Sequence, residues 1–201
     1  MPPEIQGLRA FYDDPSFATS SQLDPIKCNL VVLDSANIQR QHNNMADVLE
    51  QMKRTTKAVI DGYNNWDIEA IMAPRASHCI SRVLPKSLAR EPRNNDVYRQ
   101  YFASIMPLFK DFTVTADSEI FDPQCKKAAL HMNSTAMSPL GHYANEYALF
   151  MTFTEDGTKI TEFDEMVDSA VSGKFFLELA TFVKQHGGDT EKAWAASGKA
   201  D

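Results

Sequence analysis

The chain has 201 residues and a mass of 22.5 kDa, the size of one ordinary domain. Hydrophobic residues make up 43% and charged residues 23%, a balance that excludes a wholly disordered chain. Asp and Glu outnumber Lys and Arg by 27 to 20, which gives a net charge of −7 and argues against the basic face of a nucleic-acid-binding protein.

Residues 1–44 differ in composition from the rest and predict an N-terminal leader or arm. Asp, Ser and Pro punctuate this segment, and its one dense apolar run is LVVL at residues 30–33, either a short strand or an arm laid over a partner subunit. From Asn44, apolar residues recur at spacings of three and four up to Tyr63, which indicates an amphipathic helix with Asn44 as its N-cap. Asp67 is then the predicted N-cap of a short helix before Pro74.

The rest of the chain predicts one more helix, a run of strands and a closing helix. Residues 77–84 (SHCISRVL) are β-prone, and residues 95–109 carry one apolar helical face that Pro107 limits. Turn residues then separate four strand-like segments, 112–121, 126–136, 143–153 and 158–167, and a last helix follows over 171–183. Residues 186–201 predict a flexible C-terminal tail. Helices gathered first and strands gathered later indicate an α+β fold with an antiparallel sheet that the helices cover.

The sequence does not predict export, a membrane span or a metal site. No run approaches the roughly 18 apolar residues of a membrane span, and the N-terminal sequence MPPEIQGLRAFYDDPSF lacks the apolar core of a secretory signal. Cys28, Cys79 and Cys125 are odd in number and form no CxxC pair, which favours reduced thiols over disulfides or a zinc site. A cytoplasmic protein is therefore expected, with no membrane partner.

Five short strings, taken in order, resemble the SnoaL-like branch of the nuclear-transport-factor-2-like superfamily, especially its fungal biosynthetic members. The strings are YNNWD from Tyr63, Leu84-Pro85, GHYANEY from Gly141, DGTKI from Asp156 and EMVDS from Glu165. The resemblance covers about residues 45–185. It implies a cone-shaped α+β fold, in which a strongly curved antiparallel or mixed sheet wraps around three to four helices and leaves an open-ended pocket.

The resemblance also implies a range of functions. Members include polyketide cyclases, ketosteroid isomerase, scytalone dehydratase, epoxide hydrolases and fungal isomerases, together with binding proteins that catalyse nothing. The expected function is a cofactor-independent isomerase, cyclase or dehydratase that uses acid–base chemistry on a hydrophobic polyketide- or terpenoid-like intermediate. A non-catalytic binding module is the alternative, and ionisable side chains converging inside the cone would favour catalysis over it. No nucleotide-binding or metal-ligand motif suggests a cofactor.

Glu165 is the first candidate catalytic residue. The string FDEMVD resembles the WRDYFD string of epoxide hydrolases, which implies that Glu165 takes the place of their catalytic Asp, whereas Asp164 replaces their Arg and disfavours epoxide hydrolysis itself. Strand alternation places Glu165 between Phe163 and Val167 on one face, where burial would raise its pKa. The alternative is a structural carboxylate paired with Arg82. Asp168 is predicted to cap the last helix.

His131, Asn133 and His78 are the other catalytic candidates. His131 and Asn133 share a face of one strand, at the place where epoxide hydrolases hold an Arg-x-Asp pair. The opposite face, with Leu130 and Met132, is equally able to be the inner one. His78 lies on the first strand and is either a base or an ordinary polar residue.

Five residues are candidates for binding substrate. Asn145 and Tyr147 share a strand face, and the phenol groups of Tyr63 and Tyr101 serve either as hydrogen-bond donors or as core filler. Arg82 lies four residues beyond His78 and would clamp an acidic substrate group or neutralise Glu165.

A homodimer is expected because a one-sided antiparallel sheet leaves its other face uncovered. Candidate contact residues are those on whichever face lies outside: Leu130, Met132, Ala148 and Phe150.

Overall fold

The computed structural model describes residues 35–199, with side chains from residue 39 onward. Residues 30–33 and most of the predicted leader therefore lie outside the described residues. The helices are α1 (Ser35–Asn64), α2 (Ile68–Met72), α3 (Asn95–Ile105), α4 (Ser169–Gln185) and α5 (Thr190–Ser197). The strands are β1 (Arg75–Leu84), β2 (Lys110–Asp122), β3 (Lys127–Ser138), β4 (Gly141–Phe153) and β5 (Ile160–Val167). Single 3-10 turns follow β1 and α3, and no helix within residues 35–199 is both long and apolar enough to cross a membrane.

The five strands form one open, mixed sheet in the order β1-β5-β4-β3-β2. β1 runs parallel to β5, and the other neighbours are antiparallel. Register shifts interrupt the pairing of β1 with β5, β2 with β3 and β4 with β5, and such irregularities bend a sheet. The expected α+β fold is confirmed, with one sheet face covered by helices.

The core lies between the helices and the inner face of the sheet. Alternation along β3 is strict, so that Leu130, Met132 and Ser134 are buried while His131 and Thr135 are exposed. α1, α2 and α3 contribute Met52, Ile71, Tyr98 and other side chains to the same cluster. A second cluster joins Leu179 of α4 to Phe109 and Tyr143. The buried residues of the inner face therefore pack against helical side chains.

Two predicted helix caps are confirmed. The Asp67 carboxylate accepts hydrogen bonds from the backbone N–H groups of Glu69 and Ala70, at 2.7 and 3.2 Å, and α2 begins directly after it. Asp168 does the same for α4, which starts at Ser169. In each case the side chain satisfies backbone donors that the first helical turn cannot pair internally.

The N-terminal helix is longer than predicted. α1 begins at Ser35, so Asn44 lies within the helix and is not its N-cap. Most of the residues added are polar, and those from residue 39 to Asp47 are exposed. They carry no apolar stripe, so periodicity could not detect this part of the helix.

The predicted flexible tail is also corrected in part, because α5 occupies its middle. Asp189 caps this helix, and Ala193 and Trp194 are buried. The indole N–H of Trp194 donates to the carbonyl of Pro107 at 2.9 Å, and Lys110 Nζ lies 4.6 Å from the ring centroid. Two buried residues in eight are too few to produce a recognisable period, so the sequence alone indicated a loop.

Gly157 fixes the β4–β5 turn against α1, and we expect Gly157→Ala to destabilise the fold by about 2–3 kcal/mol. Its φ is +74°, and an added Cβ would lie 2.9 Å from the Val48 carbonyl oxygen. Thr55 Oγ1 donates to the Gly157 carbonyl at 2.8 Å, which holds the turn in place.

Urea denaturation measures this effect, and Gly187→Ala is the matched control. Gly187 has a similar φ of +78° but nothing within 4 Å of the added atom, so its variant reports backbone strain alone. Equal losses in the two variants would show that the close approach to α1 contributes nothing.

Candidate functional site

The inner face of the sheet and the helices enclose a cavity of about 970 Å³, counting the part that opens to solvent. The apolar wall comes from α3, the strands and α4, and includes Phe102, Ile105, Phe109, Phe112, Leu149, Phe163 and Phe176. Small-molecule sites are typically lined in this way, by mostly apolar side chains with a few polar groups that orient the ligand.

Glu165 lines this cavity from β5, as its alternation with Phe163 and Val167 predicts. In the sheet it pairs with Val83 of β1 and with Leu149 of β4, both of which also line the cavity. Its carboxyl group is thus flanked by apolar side chains along its own strand and on both neighbouring strands. No side chain within the described residues hydrogen-bonds or ion-pairs with it, so both carboxyl oxygens remain free for a ligand.

This environment makes Glu165 a carboxyl group that titrates near neutral pH. Burial in the apolar pocket raises its pKa from 4.5 to about 7, because removal from water disfavours the charged form. The positive charges of Arg75 and Arg93 lower the pKa and offset part of that rise. Near pH 7, both the proton-accepting and the proton-donating form of the group are therefore well populated.

Tyrosine hydroxyl groups line the same cavity in two hydrogen-bonded sets. Tyr63 of α1 and Tyr98 of α3 share one hydroxyl–hydroxyl bond. The Tyr147 hydroxyl lies 3.0 Å from that of Tyr143 and 2.7 Å from Ser134 Oγ, all three on inner positions of β3 and β4. Burial raises the pKa of all four phenols, and the charge of Glu165 raises them further. They stay protonated at neutral pH and can donate hydrogen bonds to a developing oxyanion.

Arg75 is buried, and its positive charge acts on Glu165 while its guanidinium group stacks on Tyr98 and Phe163. Its guanidinium carbon lies 4.0 Å from the Tyr98 ring centroid and 5.0 Å from that of Phe163. It donates to Ser81 Oγ and, at 3.1 Å, to Asn95 Oδ1. These contacts fix its position, so it acts on Glu165 through its charge and not as a direct partner.

Of the sequence-predicted residues, Glu165, Asn145, Tyr147, Tyr63 and Tyr101 line the cavity. Asn145 is buried and donates to Ser172 Oγ of α4 at 2.8 Å, so in this structure it ties the sheet to the last helix. The Tyr101 ring packs beneath the Arg93 guanidinium at 4.0 Å.

His131 and Asn133 lie on the other face of the sheet, because Leu130, Met132 and Ser134 take the inner positions of β3. His131 Nε2 lies 2.5 Å from Glu146 Oε1, and Asn133 donates to Asp117 Oδ2 at 2.6 Å. Their side chains are therefore engaged outside the cavity, and neither one lines it. The sequence allowed either face of β3 to be the inner one, and in the structure it is the face with Leu130 and Met132.

His78 and Arg82 are likewise outside the cavity. His78 is exposed on β1. Arg82 donates to Asp164 Oδ1 at 3.0 Å and to Glu162 Oε1 at 3.1 Å, which lie on the outer positions of β5. Arg82 therefore neutralises carboxylates near Glu165 in the sequence and forms no ion pair with Glu165 itself. The alternative role of Glu165, a structural carboxylate paired with Arg82, is not supported.

Sequence reasoning missed the roles of Arg75, Arg93, Tyr143 and Ser134. Tyr143 lies in the GHYANEY string, two positions from Asn145 and four from Tyr147, so strand alternation alone would have placed it beside them. The arginines carry no local signal, because their neighbours in space come from distant segments of the chain.

The described residues 35–199 contain no cluster of three or more His, Cys, Asp or Glu side chains arranged to hold a metal ion. Cys79 is buried and Cys125 exposed, and both are free thiols. The chemistry that these residues can supply is proton transfer by one carboxyl group, with phenol donors beside it.

No family model matches the chain, but curated relatives and solved structures do. Monooxygenase AacuP of Aspergillus aculeatus is 30% identical over 130 residues, which span 65% of this chain and 90% of the relative. The crystal structure of BvnE pinacolase from Penicillium brevicompactum superposes with a TM-score of 0.65 at 28% identity, covering 67% of this chain and 94% of that one. The chain belongs to the SnoaL-like branch of the nuclear-transport-factor-2-like superfamily.

A further neighbour shares the SnoaL-like fold. The structure of PrhC from Penicillium brasilianum gives a TM-score of 0.63 at 22% identity, over 74% of this chain and 97% of that one. The expected cone-shaped fold is therefore confirmed by solved structures. The named relatives come from filamentous fungi, and the structural neighbours include biosynthetic enzymes.

Proposed function

We propose that this SnoaL-like protein is an acid–base isomerase, cyclase or dehydratase that acts on a polyketide- or terpenoid-like intermediate. The observation that carries the proposal is the Glu165 carboxyl group, which has a pKa of about 7 and no side-chain partner inside an aromatic cavity. A general base is most effective when its pKa lies near the working pH. The reaction requires no cofactor.

In the proposed reaction, ionised Glu165 removes a proton from carbon next to a substrate carbonyl group. Negative charge then develops on the carbonyl oxygen, where the Tyr147 or Tyr63 hydroxyl group donates a hydrogen bond. Protonated Glu165 returns the proton at another carbon to complete an isomerisation, or assists the loss of a hydroxide as water to complete a dehydration. If the enolate carbon attacks a second carbonyl group, the same sequence closes a ring.

The binding-module alternative predicts a purely apolar cone, which the converging carboxyl and phenol groups disfavour. Epoxide hydrolysis loses its support because His131 and Asn133 stand at the Arg-x-Asp positions and point away from the cavity. Oxygenation is the second candidate, since relatives such as AacuP are named monooxygenases. In that reaction Glu165 would generate the same substrate carbanion, which would then react with O₂.

Incubation with the intermediates made by neighbouring biosynthetic genes, in D₂O, separates these reactions by product mass. Isomerisation or cyclisation leaves the mass unchanged apart from incorporated deuterium, dehydration removes one water, and oxygenation adds oxygen and stops under argon. We expect the first or second outcome. Oxygen-dependent turnover would replace the proposal with the monooxygenase assignment, and tight binding without any conversion would favour the binding module.

We also propose that the protein is a homodimer that associates through the outer face of the sheet. Of the predicted contact residues, Leu130 and Met132 are buried inside, whereas Ala148 and Phe150 lie on the outer face. Adjacent strands bring the outer residues Ile120, Ala129 and Phe150 into one row. Ile120 is 71% exposed and Phe150 45% exposed in the single chain.

Phe150→Glu should convert the protein to monomers in sedimentation experiments at micromolar concentration, because the new charge would be desolvated in the contact. Leu177→Glu is the control, since Leu177 is equally apolar and 70% exposed but lies on α4. A wild-type protein that sediments only as a 22.5 kDa species would rule out the dimer.

A further inference from the structure

Two arginine side chains line the cavity without a carboxylate partner. Arg90 and Arg93 lie between the 3-10 turn that follows β1 and the start of α3, and both are half-buried. Arg90 makes no hydrogen bond or ion pair with any residue in the described part of the chain. The Arg93 guanidinium stacks on the Tyr101 ring and has no acidic partner among the same residues.

Three other arginines of the fold differ from this pair because each has hydrogen-bond or ion-pair partners. Arg82 binds two carboxylates, Arg99 binds Glu69 through both of its terminal nitrogens, and Arg75 donates to Ser81 and Asn95. A guanidinium group that is partly removed from water is normally paired, because its lost hydration must be replaced. Arg90 and Arg93 line the cavity without a direct carboxylate partner, so the carboxylate of a ligand can pair with them there.

The segment that carries these arginines is positioned by the sheet. The backbone of Arg93 forms a reciprocal bridge with Ser81 of β1, with N···O distances of 2.9 and 2.8 Å. With its backbone fixed and its side chain stacked on Tyr101, Arg93 is preorganised for recognition. Both arginines are more exposed than Tyr63 and Tyr98, so they lie toward the solvent side of the cavity.

We propose that Arg90 and Arg93 bind a carboxylate group on the substrate, which is therefore an aromatic or polycyclic carboxylic acid. The inference rests on the proposed function, because it concerns the ligand of the same cavity. The planar guanidinium groups suit the two oxygens of a carboxylate, while the ring system fills the apolar interior toward Glu165. The negative charge of the ligand then pairs with Arg90 and Arg93, whereas Glu165 has no direct side-chain partner and remains able to move the proton.

Calorimetric titration with 2-naphthoate and with its neutral analogue 2-naphthamide tests the proposal without any turnover. We expect the wild-type protein to bind naphthoate about tenfold more tightly than naphthamide, the scale of a charge-assisted hydrogen bond. Arg90→Gln and Arg93→Gln should each remove most of that preference and leave naphthamide binding unchanged. Arg54→Gln is the control, since Arg54 is exposed on α1, far in sequence from the cavity segment, and also removes one charge.

Two further variants keep the result interpretable. Arg93→Lys retains the charge and should keep part of the preference even if Arg93→Gln loosens the contact with Tyr101. Glu165→Gln should bind naphthoate as tightly as the wild type or more tightly, because a like charge is removed. Equal affinities for the acid and the amide, no measurable naphthoate binding, or a preference that survives in both glutamine variants would each overturn the proposal.

The outcome is independent of whether Glu165 catalyses proton transfer. An arginine-dependent preference in a protein that converts nothing would support the ligand class and contradict only the proposed reaction. Conversion of a neutral intermediate by a protein with no preference for the acid would support the proposed reaction and contradict only the ligand class.

Discussion

Glu165→Gln should reduce turnover by roughly 10²–10⁴-fold, the usual contribution of a general base. The amide has nearly the same shape and keeps its place between Phe163 and Val167, but it neither accepts nor releases a proton at neutral pH. In the wild type, kcat/KM should rise with pH as Glu165 ionises and level off above about pH 7. Steady-state kinetics across this range measures both effects.

Glu146→Gln and His131→Gln are matched controls for that experiment. Both residues lie on the outer face, hydrogen-bonded to each other, so removing either should leave the pH profile unchanged. Normal turnover by Glu165→Gln would show that the carboxyl group is structural. Loss of turnover in His131→Gln would instead return proton transfer to the histidine.

The second large effect is on stability. Above pH 7, the free energy of unfolding of Glu165→Gln should exceed that of the wild type. The pKa of Glu165 is about 7 in the folded protein against an ordinary value of 4.5, so the folded state holds its proton more tightly than the unfolded state. The contribution of this group is therefore fully present below pH 4.5 and is lost as pH rises through 7. With the charged form buried, the cost reaches about 3 kcal/mol at alkaline pH.

Urea denaturation at pH 5 and pH 8 measures this linkage. The free energy of unfolding of the wild type should fall relative to that of Glu165→Gln between the two pH values. A parallel pH dependence of the wild type and Glu165→Gln would mean that the carboxyl group is well hydrated, and the acid–base assignment would lose its physical basis.

Much of the fold could be predicted because local residues determine where its helices and strands begin and end. Asp67 and Asp168 are recognisable caps, and the Asp156-Gly157 turn separates two alternating strands. The parallel pairing of β1 with β5 was not accessible, since it joins segments about 80 residues apart and leaves no local pattern. The first turns of α1 and the whole of α5 were missed because helices that bury few side chains lack periodicity.

The candidate site could likewise be predicted only where the local sequence pattern identifies the inner face. Glu165 was found because its two flanking residues on the strand are large and apolar, which identifies the inner face. On β3 the polar residues His131 and Asn133 suggested chemistry, but burial follows Leu130 and Met132. Arg82, Arg90 and Arg93 look alike in the sequence, and only their partners in space distinguish an ion-paired surface residue from a charge that faces the cavity.

The most direct test is a titration of the Glu165 carboxyl carbon by NMR, using protein labelled with ¹³C at the glutamate carboxyl groups. Comparison with Glu165→Gln identifies the signal, and its chemical shift is followed from acid to alkaline pH. We expect a midpoint near pH 7 for this one group. A midpoint near the ordinary glutamate value would show a solvated carboxylate and would contradict the central claim.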